Sequence, residues 1–273
     1  MTGFDFAGRR YLVTGVTNQE SIAWHVAAAL QRHGAEIVLG SFGRAARITR
    51  KAAARLPATP DVLDLDVTDA ADLAAAVTDL RERWGALDGV LHSIAYAPPD
   101  AVSGAFLSTP ADQALHGFEV SAYSLQRLAA SFAPLLTAGE RTGGIVGITV
   151  DSARALPGYD WMGVFKASLE AVARYLAMHL GPRGVRVNLV AAGPLETLSA
   201  RGVNTFDALA DHYETWAPLG WDRTDPGQVV GAVLFLLSDL AAHTTGQVLH
   251  ADGGLHAVTG GIGEPPRRLP RDS

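Results

Sequence analysis

Cysteine is absent from the 273 residues of this chain, which excludes a disulfide framework, a thiol nucleophile and a thiolate metal site. Charged residues are few, at 18%, and positive charge is in deficit, with a formal net charge of -6. That balance speaks against a nucleic-acid surface, which needs clustered Lys and Arg. Two local basic runs, 44–55 and Arg267, Arg268 and Arg271, have no aromatic residues between them for base stacking. Long apolar runs are missing as well: the longest, Val229 to Leu237, is too short to cross a bilayer. No secretory leader is read ahead of Tyr11-Leu12-Val13-Thr14-Gly15, so the expected location is the cytoplasm, with neither nucleic acid nor membrane as partner. The nine histidines form no H-E-x-x-H or comparable ligand set, and no G-x-S-x-G elbow is present.

What is present is alternation. Short β-rich runs, 11–14, 36–39, 62–67, 89–92, 145–148, 185–190 and 247–251, end in Gly, Ser, Asp or other small residues. Between them lie Ala- and Leu-rich stretches of helical length, 21–33, 70–84, 112–136, 159–180 and 226–237. Most of the strand runs are apolar throughout, as strands covered on both faces must be. The pattern predicts an α/β single-domain Rossmann fold over residues 1–260: a doubly wound seven-stranded parallel sheet with helices on both faces. The stretch 195–218 reads as irregular and polar with room for short helices, and 261–273 as a disordered tail.

Ligands of such sheets bind beyond the carboxyl ends of the strands. The first strand runs into Gly15-Val16-Thr17-Asn18-Gln19-Glu20-Ser21-Ile22, where Gly15 permits a sharp turn. Ser21 stands where a helix would begin, its hydroxyl able to cap N–H groups or to meet a phosphate. Taken alone, this segment reads equally well as a plain turn with an N-cap. Leu65-Asp66-Val67 is expected to end the third strand with an acid placed for an adenine amino group. Small residues follow the fourth strand, in Ser93-Ile94-Ala95-Tyr96, and the sixth, in Gly193-Pro194. After the second strand, Ser41-Phe42-Gly43-Arg44 offers no acid for ribose hydroxyls, and Arg44 could meet a 2'-phosphate or simply be a solvated residue at a helix start.

Tyr159 and Lys166 stand seven residues apart in Tyr159-Asp160-Trp161-Met162-Gly163-Val164-Phe165-Lys166. On a helix that is almost two turns, so the two share a face. The expectation is an ammonium that favours ionisation of a tyrosine, whose ordinary pKa is about 10. Such a pair can orient a ribose and donate to a carbonyl oxygen. Spacing alone also fits an aromatic residue at a helix start with a snorkelling lysine.

The Tyr-x6-Lys spacing resembles the divergent branch of the short-chain dehydrogenase/reductases, the enoyl-acyl carrier protein reductases of bacterial and mycobacterial type. Further matches run in order along nearly the whole chain: Gly15-x5-Ser21-Ile22-Ala23, Leu65-Asp66-Val67, His92-Ser93-Ile94, Ser121-Ala122-Tyr123-Ser124, Arg154-Ala155-Leu156-Pro157, Ala192-Gly193-Pro194, Thr197-Leu198 and Ala251-Asp252-Gly253-Gly254. The resemblance implies reduction of a trans-2-enoyl thioester of acyl carrier protein or coenzyme A, with hydride passing from NADH to the β-carbon; Arg44 leaves NADPH open. It implies that Tyr159 and Lys166 are catalytic, Lys166 also holding the nicotinamide ribose. The cofactor would contact Gly15, Val16, Ser21, Ile22 and Phe42 at one end, and Asp66, Val67, Ser93, Ile94 and Ala95 at the middle strands. Gly193, Pro194, Leu195 and Thr197 would complete its site, and Tyr96, Tyr159, Met162, Leu198 and Phe206 would face the substrate. A homotetramer is implied too, with the helices 112–136 and 159–180 pairing between subunits.

The chain departs from the family pattern at Val150, where an aromatic is usual, at Glu196, where Arg is frequent, and at Ala95, where Gly is usual. Those departures keep a second reading open, a reductase of the same fold acting on another enoyl or keto compound. A third, a nucleotide-binding protein without turnover, is opposed by the intact pair.

Overall fold

The computed structural model describes residues 5–266, apart from 103, 105, 199 and 203. Seven strands are laid down in chain order: β1 (Arg10–Thr14), β2 (Glu36–Ser41), β3 (Val62–Asp64), β4 (Gly89–His92), β5 (Gly144–Thr149), β6 (Arg186–Ala192) and β7 (Val248–Ala251). They pair in the order β3-β2-β1-β4-β5-β6-β7, and every pairing is parallel. β4, β5 and β6 are buried at every position, which is why they read as mostly apolar, Arg186 and Asn188 of β6 being buried with them. Alternate residues serve opposite faces. Tyr11, Val13, Leu91, Val146 and Val190 enter one core, and Leu12, Val90, Ile145 and Leu189 the other.

Helices close both faces. On the first lie α1 (Ile22–Arg32) through Val26 and Leu30, and α8 (Gly227–Leu237) through Val229, Val233 and Leu237. On the second lie α3 (Ala70–Trp84) through Leu73 and Leu80, α5 (Ser124–Leu136) through Leu125, Leu128 and Phe132, and α6 (Asp160–Leu180) through Leu169 and Ala173. This is the expected doubly wound arrangement. β2 and β3 extend the sheet to one side of β1, and β4 lies on its other side, so the winding reverses between β1 and β4. A crevice opens at such a point, beyond the carboxyl ends of the strands.

Three local expectations are corrected, and one helix is added to those expected. The third strand stops at Asp64, so Leu65-Asp66-Val67 lies past its end; Leu65 still donates its N–H to the Ser41 carbonyl at 2.9 Å. The basic run is a helix, α2 (Gly43–Ala53), which buries only the small residues Ala46, Thr49, Ala52 and Ala53 and so shows no apolar stripe. The single helix expected over 112–136 is two, α4 (Ala111–Phe118) and α5, joined by the five-residue π turn Glu119–Tyr123. Finally, the stretch 195–218 contains a full helix, α7 (Phe206–Trp216). Of the expected tail, 261–266 carries no helix or strand, and 267–273 lies outside the described residues.

Candidate active site

The first turn after β1 is set by one close approach. Gly15 has φ +86°, and a methyl group on it would lie 1.9 Å from the Ser93 carbonyl oxygen at the end of β4. Only glycine brings the two strand ends that flank the winding reversal this close. Ser21 precedes α1 as expected, but its hydroxyl makes no cap; it donates to the Asn18 carbonyl at 2.6 Å and tightens the turn. With no acidic side chain in its first turn, α1 presents the positive end of its dipole to the crevice mouth.

Lys166 comes from α6 and is buried, its ammonium donating to the Ile148 carbonyl of β5 at 2.9 Å. Burial lowers its pKa to about 8, partly offset by Glu170 one turn further along the helix. Tyr159 does not lie within the helix, as the spacing suggested, but is the residue immediately before it. Its pKa moves opposite to expectation: burial pushes it up to about 12, and no charge enters as a cause. A neutral hydroxyl is therefore the stable form of Tyr159, which suits a hydrogen-bond donor.

A further buried group lies close enough to Lys166 to feel its charge. His92, the last residue of β4, is fully buried, and its Nε2 lies 2.8 Å from the Ser124 hydroxyl. That hydroxyl already donates to the Val120 carbonyl at 2.7 Å, so it accepts from His92, whose ring then carries its proton on Nε2. Burial first, and the charge of Lys166 second, lower the His92 pKa to about 3. Lys166 is thus the only one of the two to carry charge at neutral pH.

The remaining candidates divide by which part of them is available. Phe42, Ala95, Tyr96 and Leu198 are exposed, and Ser93, Ile94, Met162, Pro194, Thr197 and Phe206 are partly so. Phe42 stands directly before α2, and Phe206 is the first residue of α7. The side chains of Val16, Val67 and Leu195 belong to the two cores, which leaves their backbone for any ligand. Asp66 commits one carboxylate oxygen to the N–H and hydroxyl of Thr68, at 2.8 and 2.7 Å, in a turn after β3. Gly193 answers to internal packing: a methyl there would lie 2.7 Å from the Trp221 indole, which donates to the Pro194 carbonyl at 2.7 Å. Arg44 and Glu196 are exposed, and Val150 is half-buried after β5.

A family model described as enoyl-(acyl carrier protein) reductase matches residues 15–256, from the first turn to the segment after β7. The chain belongs to this family. A relative from Mycolicibacterium smegmatis is 39% identical over 268 residues, covering 93% of this chain and 98% of its own. One from Rhizobium meliloti is 40% identical over 253 residues, with 92% and 91% covered. A third, from Bacillus subtilis, is 36% identical over 259 residues, with 93% and 98% covered. All three bear the name enoyl-acyl-carrier-protein reductase with NADH as the stated cofactor.

Within this enoyl reductase fold, two supports escaped the sequence reading. Ser121 accepts from the Tyr96 N–H at 2.8 Å and donates to the Tyr96 carbonyl at 2.7 Å, so the π turn holds the segment that leaves β4. π turns recur at functional sites, but nothing in an apolar helical pattern signals one. Trp221 was missed because it lies outside every strand and helix; its distance in sequence from Gly193 hides the contact.

Proposed function

We propose that this chain is an NADH-dependent enoyl-acyl carrier protein reductase that reduces the carbon–carbon double bond of a trans-2-enoyl thioester, as in fatty-acid synthesis. The observation that carries the reading is a neutral phenol, Tyr159, at the head of α6 and a buried ammonium, Lys166, on that helix and bonded to β5, in a chain that matches the family along most of its length. The residues present fit the dinucleotide. Lys166 has protons left over after its bond to Ile148, and they suit ribose hydroxyls. Phe42 offers an exposed ring at the end of β2 for the adenine, and the head of α1 offers dipole and N–H groups to a diphosphate. Bound NADH supplies the hydride for the β-carbon of the enoyl group.

The chain's own residues do the rest. As the double bond is reduced, negative charge develops on the thioester oxygen, and Tyr159 donates a hydrogen bond to it. A donor fixed in advance, in a site shielded from water, stabilises that charge more than water would. Lys166 orients the ribose and so the face from which hydride leaves. Backbone at Gly15, Val16, Ser21 and Ile22, at Asp66 and Val67, at Ser93 to Ala95 and at Gly193 to Thr197 lines the cofactor path. Tyr96, Met162, Leu198 and Phe206 contact the acyl chain, with α7 as its cover.

Acyl carrier protein, or coenzyme A in its place, delivers the thioester, and the cytoplasm is the expected place of reaction. A homotetramer belongs to the same proposal: α6 leaves Tyr175 and Met178 at 66% and 58% exposure, more apolar surface than a solvated helix needs. The experiment is loss of reduced-nicotinamide absorbance with crotonyl and octenoyl thioesters, NADH and NADPH being tried separately. Turnover with NADH is expected. Tight NADH binding with no turnover on these thioesters, or turnover only on ketones, overturns the reading.

A further inference from the structure

We infer that Asp160 is a positioning residue for Tyr159, acting through a reversal of backbone hand and a clamp on Gly104. The inference rests on the role just proposed for Tyr159. Among the described residues Asp160 is the only non-glycine with a left-handed backbone, at φ 44°. That region is unfavourable for an L side chain and persists only where the surroundings over-determine it. Here it comes directly after Tyr159, whose φ of -89° and ψ of -26° are right-handed. The chain therefore changes hand between Tyr159 and the body of α6. The direction in which the phenol leaves the backbone is set by this turn and not by the helical repeat. Two further bonds hold Tyr159 in it: its N–H donates to the Leu156 carbonyl at 3.1 Å, and its carbonyl accepts from Met162 at 3.0 Å.

The side chain of Asp160 supplies what keeps the turn in place. Its Oδ2 accepts from the Gly104 N–H, and Gly104, at φ +95°, is itself in a conformation only glycine adopts freely. The next residue repeats the attachment. Trp161 donates from its indole to the Phe106 carbonyl at 3.2 Å and stacks on the Phe106 ring at 5.1 Å and 26°. Two consecutive residues at the head of α6 thus fasten the connection that leads away from β4, Ser93 and Ala95. Asp160 does not figure among the causes that raise the Tyr159 pKa, so its influence on the phenol is one of geometry.

Three variants separate positioning from plain support. Asp160→Asn keeps an acceptor and tolerates the left-handed region, so its kcat should stay within about twofold of wild type. Asp160→Gly keeps the backbone and loses the acceptor; Asp160→Ala loses both. The expected order of kcat is Asn, then Gly, then Ala, with Ala down about tenfold to a hundredfold and its NADH Kd, by fluorescence titration, within about twofold of wild type. If Asp160→Ala does not fold, the Asn and Gly variants decide by the same criterion, Gly falling below Asn in kcat alone. Wild-type kcat in both Gly and Ala overturns the role, and so does a parallel loss of kcat, NADH binding and Tm, which is the mark of support only. Failure of the wild type to reduce an enoyl thioester overturns the activity itself, and the role with it, and is told apart by the absence of any variant dependence.

Discussion

At the scale of single residues, one member of the pair proposed for the site, Lys166, is costly to the fold. Lys166 titrates near 8 when buried and near 10.5 when exposed, because burial opposes its charge. Below about pH 8 the lysine is charged both folded and unfolded, and the net cost of its burial after the offset from Glu170, about 3 kcal/mol, weighs against folding. Between about 8 and 10.5 the folded chain gives up its proton first, the unfolded chain binds more protons, and stability rises with pH. Lys166→Met should therefore be more stable than wild type near neutral pH, and the difference should shrink as the pH approaches about 10.5; urea unfolding at the two pH values checks it. A pH-independent difference would mean that burial of the charge is not what costs. Tyr159→Phe tests the other partner. It should lower kcat by about a hundredfold, with NADH affinity within about twofold of wild type, because the role proposed for the hydroxyl is on charge that develops as the double bond is reduced and is absent from the bound ground state. Equal losses in kcat and NADH binding would remove Tyr159 from the role. The helix that carries Lys166 was legible in the sequence, whereas the place of Tyr159 just ahead of that helix was not. The direction of the tyrosine's pKa was not legible either, since a charge partner can be named from sequence but the depth of burial that outweighs it cannot. Asp160 was equally silent: an aspartate in a helical segment carries no sign of a left-handed backbone.

Elements were legible in proportion to how apolar they are. The strands β4 and β5 and the helix α3 stand within one residue of their expected bounds, because their burial is continuous or strictly helical in period. α2 and α7 were hidden, the first because it packs through alanines and a threonine, the second because the polar stretch around it read as irregular. The turn between β1 and α1 was legible only as a glycine that permits a bend; the close approach to Ser93 came with the pairing of β1 to β4. Two alanine variants weigh that contact. Gly43 shares the left-handed region, at φ +53°, but a methyl there meets nothing within 4 Å. Gly43→Ala should cost the backbone term alone, about 1 kcal/mol in urea unfolding. Gly15→Ala adds a methyl 1.9 Å from the Ser93 oxygen and should cost about 2 kcal/mol more, with NADH binding lost as the two strand ends are forced apart. Equal costs for the two variants would show that the Ser93 contact does not constrain the turn.

For the molecule as a whole, the distribution of apolar surface bears on assembly. The second face of the sheet is covered by α3, α5 and α6, and α6 runs for 21 residues. Its inward residues, Leu169, Ala173, Ala177 and Leu180, satisfy the sheet, while Tyr175 and Met178 point away from it. Two of the three polar groups that could cover the outer side are engaged elsewhere: Glu170 accepts from Ser152 at 2.6 Å, and Arg127 of α5 is drawn to the Thr68 carbonyl and to Glu119, while Arg174 is exposed beside Tyr175. Tyr123, in the π turn, adds to the exposed apolar set, its ring 5.4 Å from the Arg127 guanidinium. Burial of such surface against a copy of itself is the commonest way soluble chains close a symmetric assembly. One such side closes a pair, and the tetramer proposed above adds a second interface, so light scattering after size exclusion should give four times the 28.6 kDa of one chain at micromolar concentration. Tyr175→Glu with Met178→Glu should lower that mass, since a carboxylate cannot be buried there without a partner. A mass of 28.6 kDa for the wild type sinks the tetramer. A tetramer that survives the double variant moves the interface off this side of α6 and leaves the assembly itself standing.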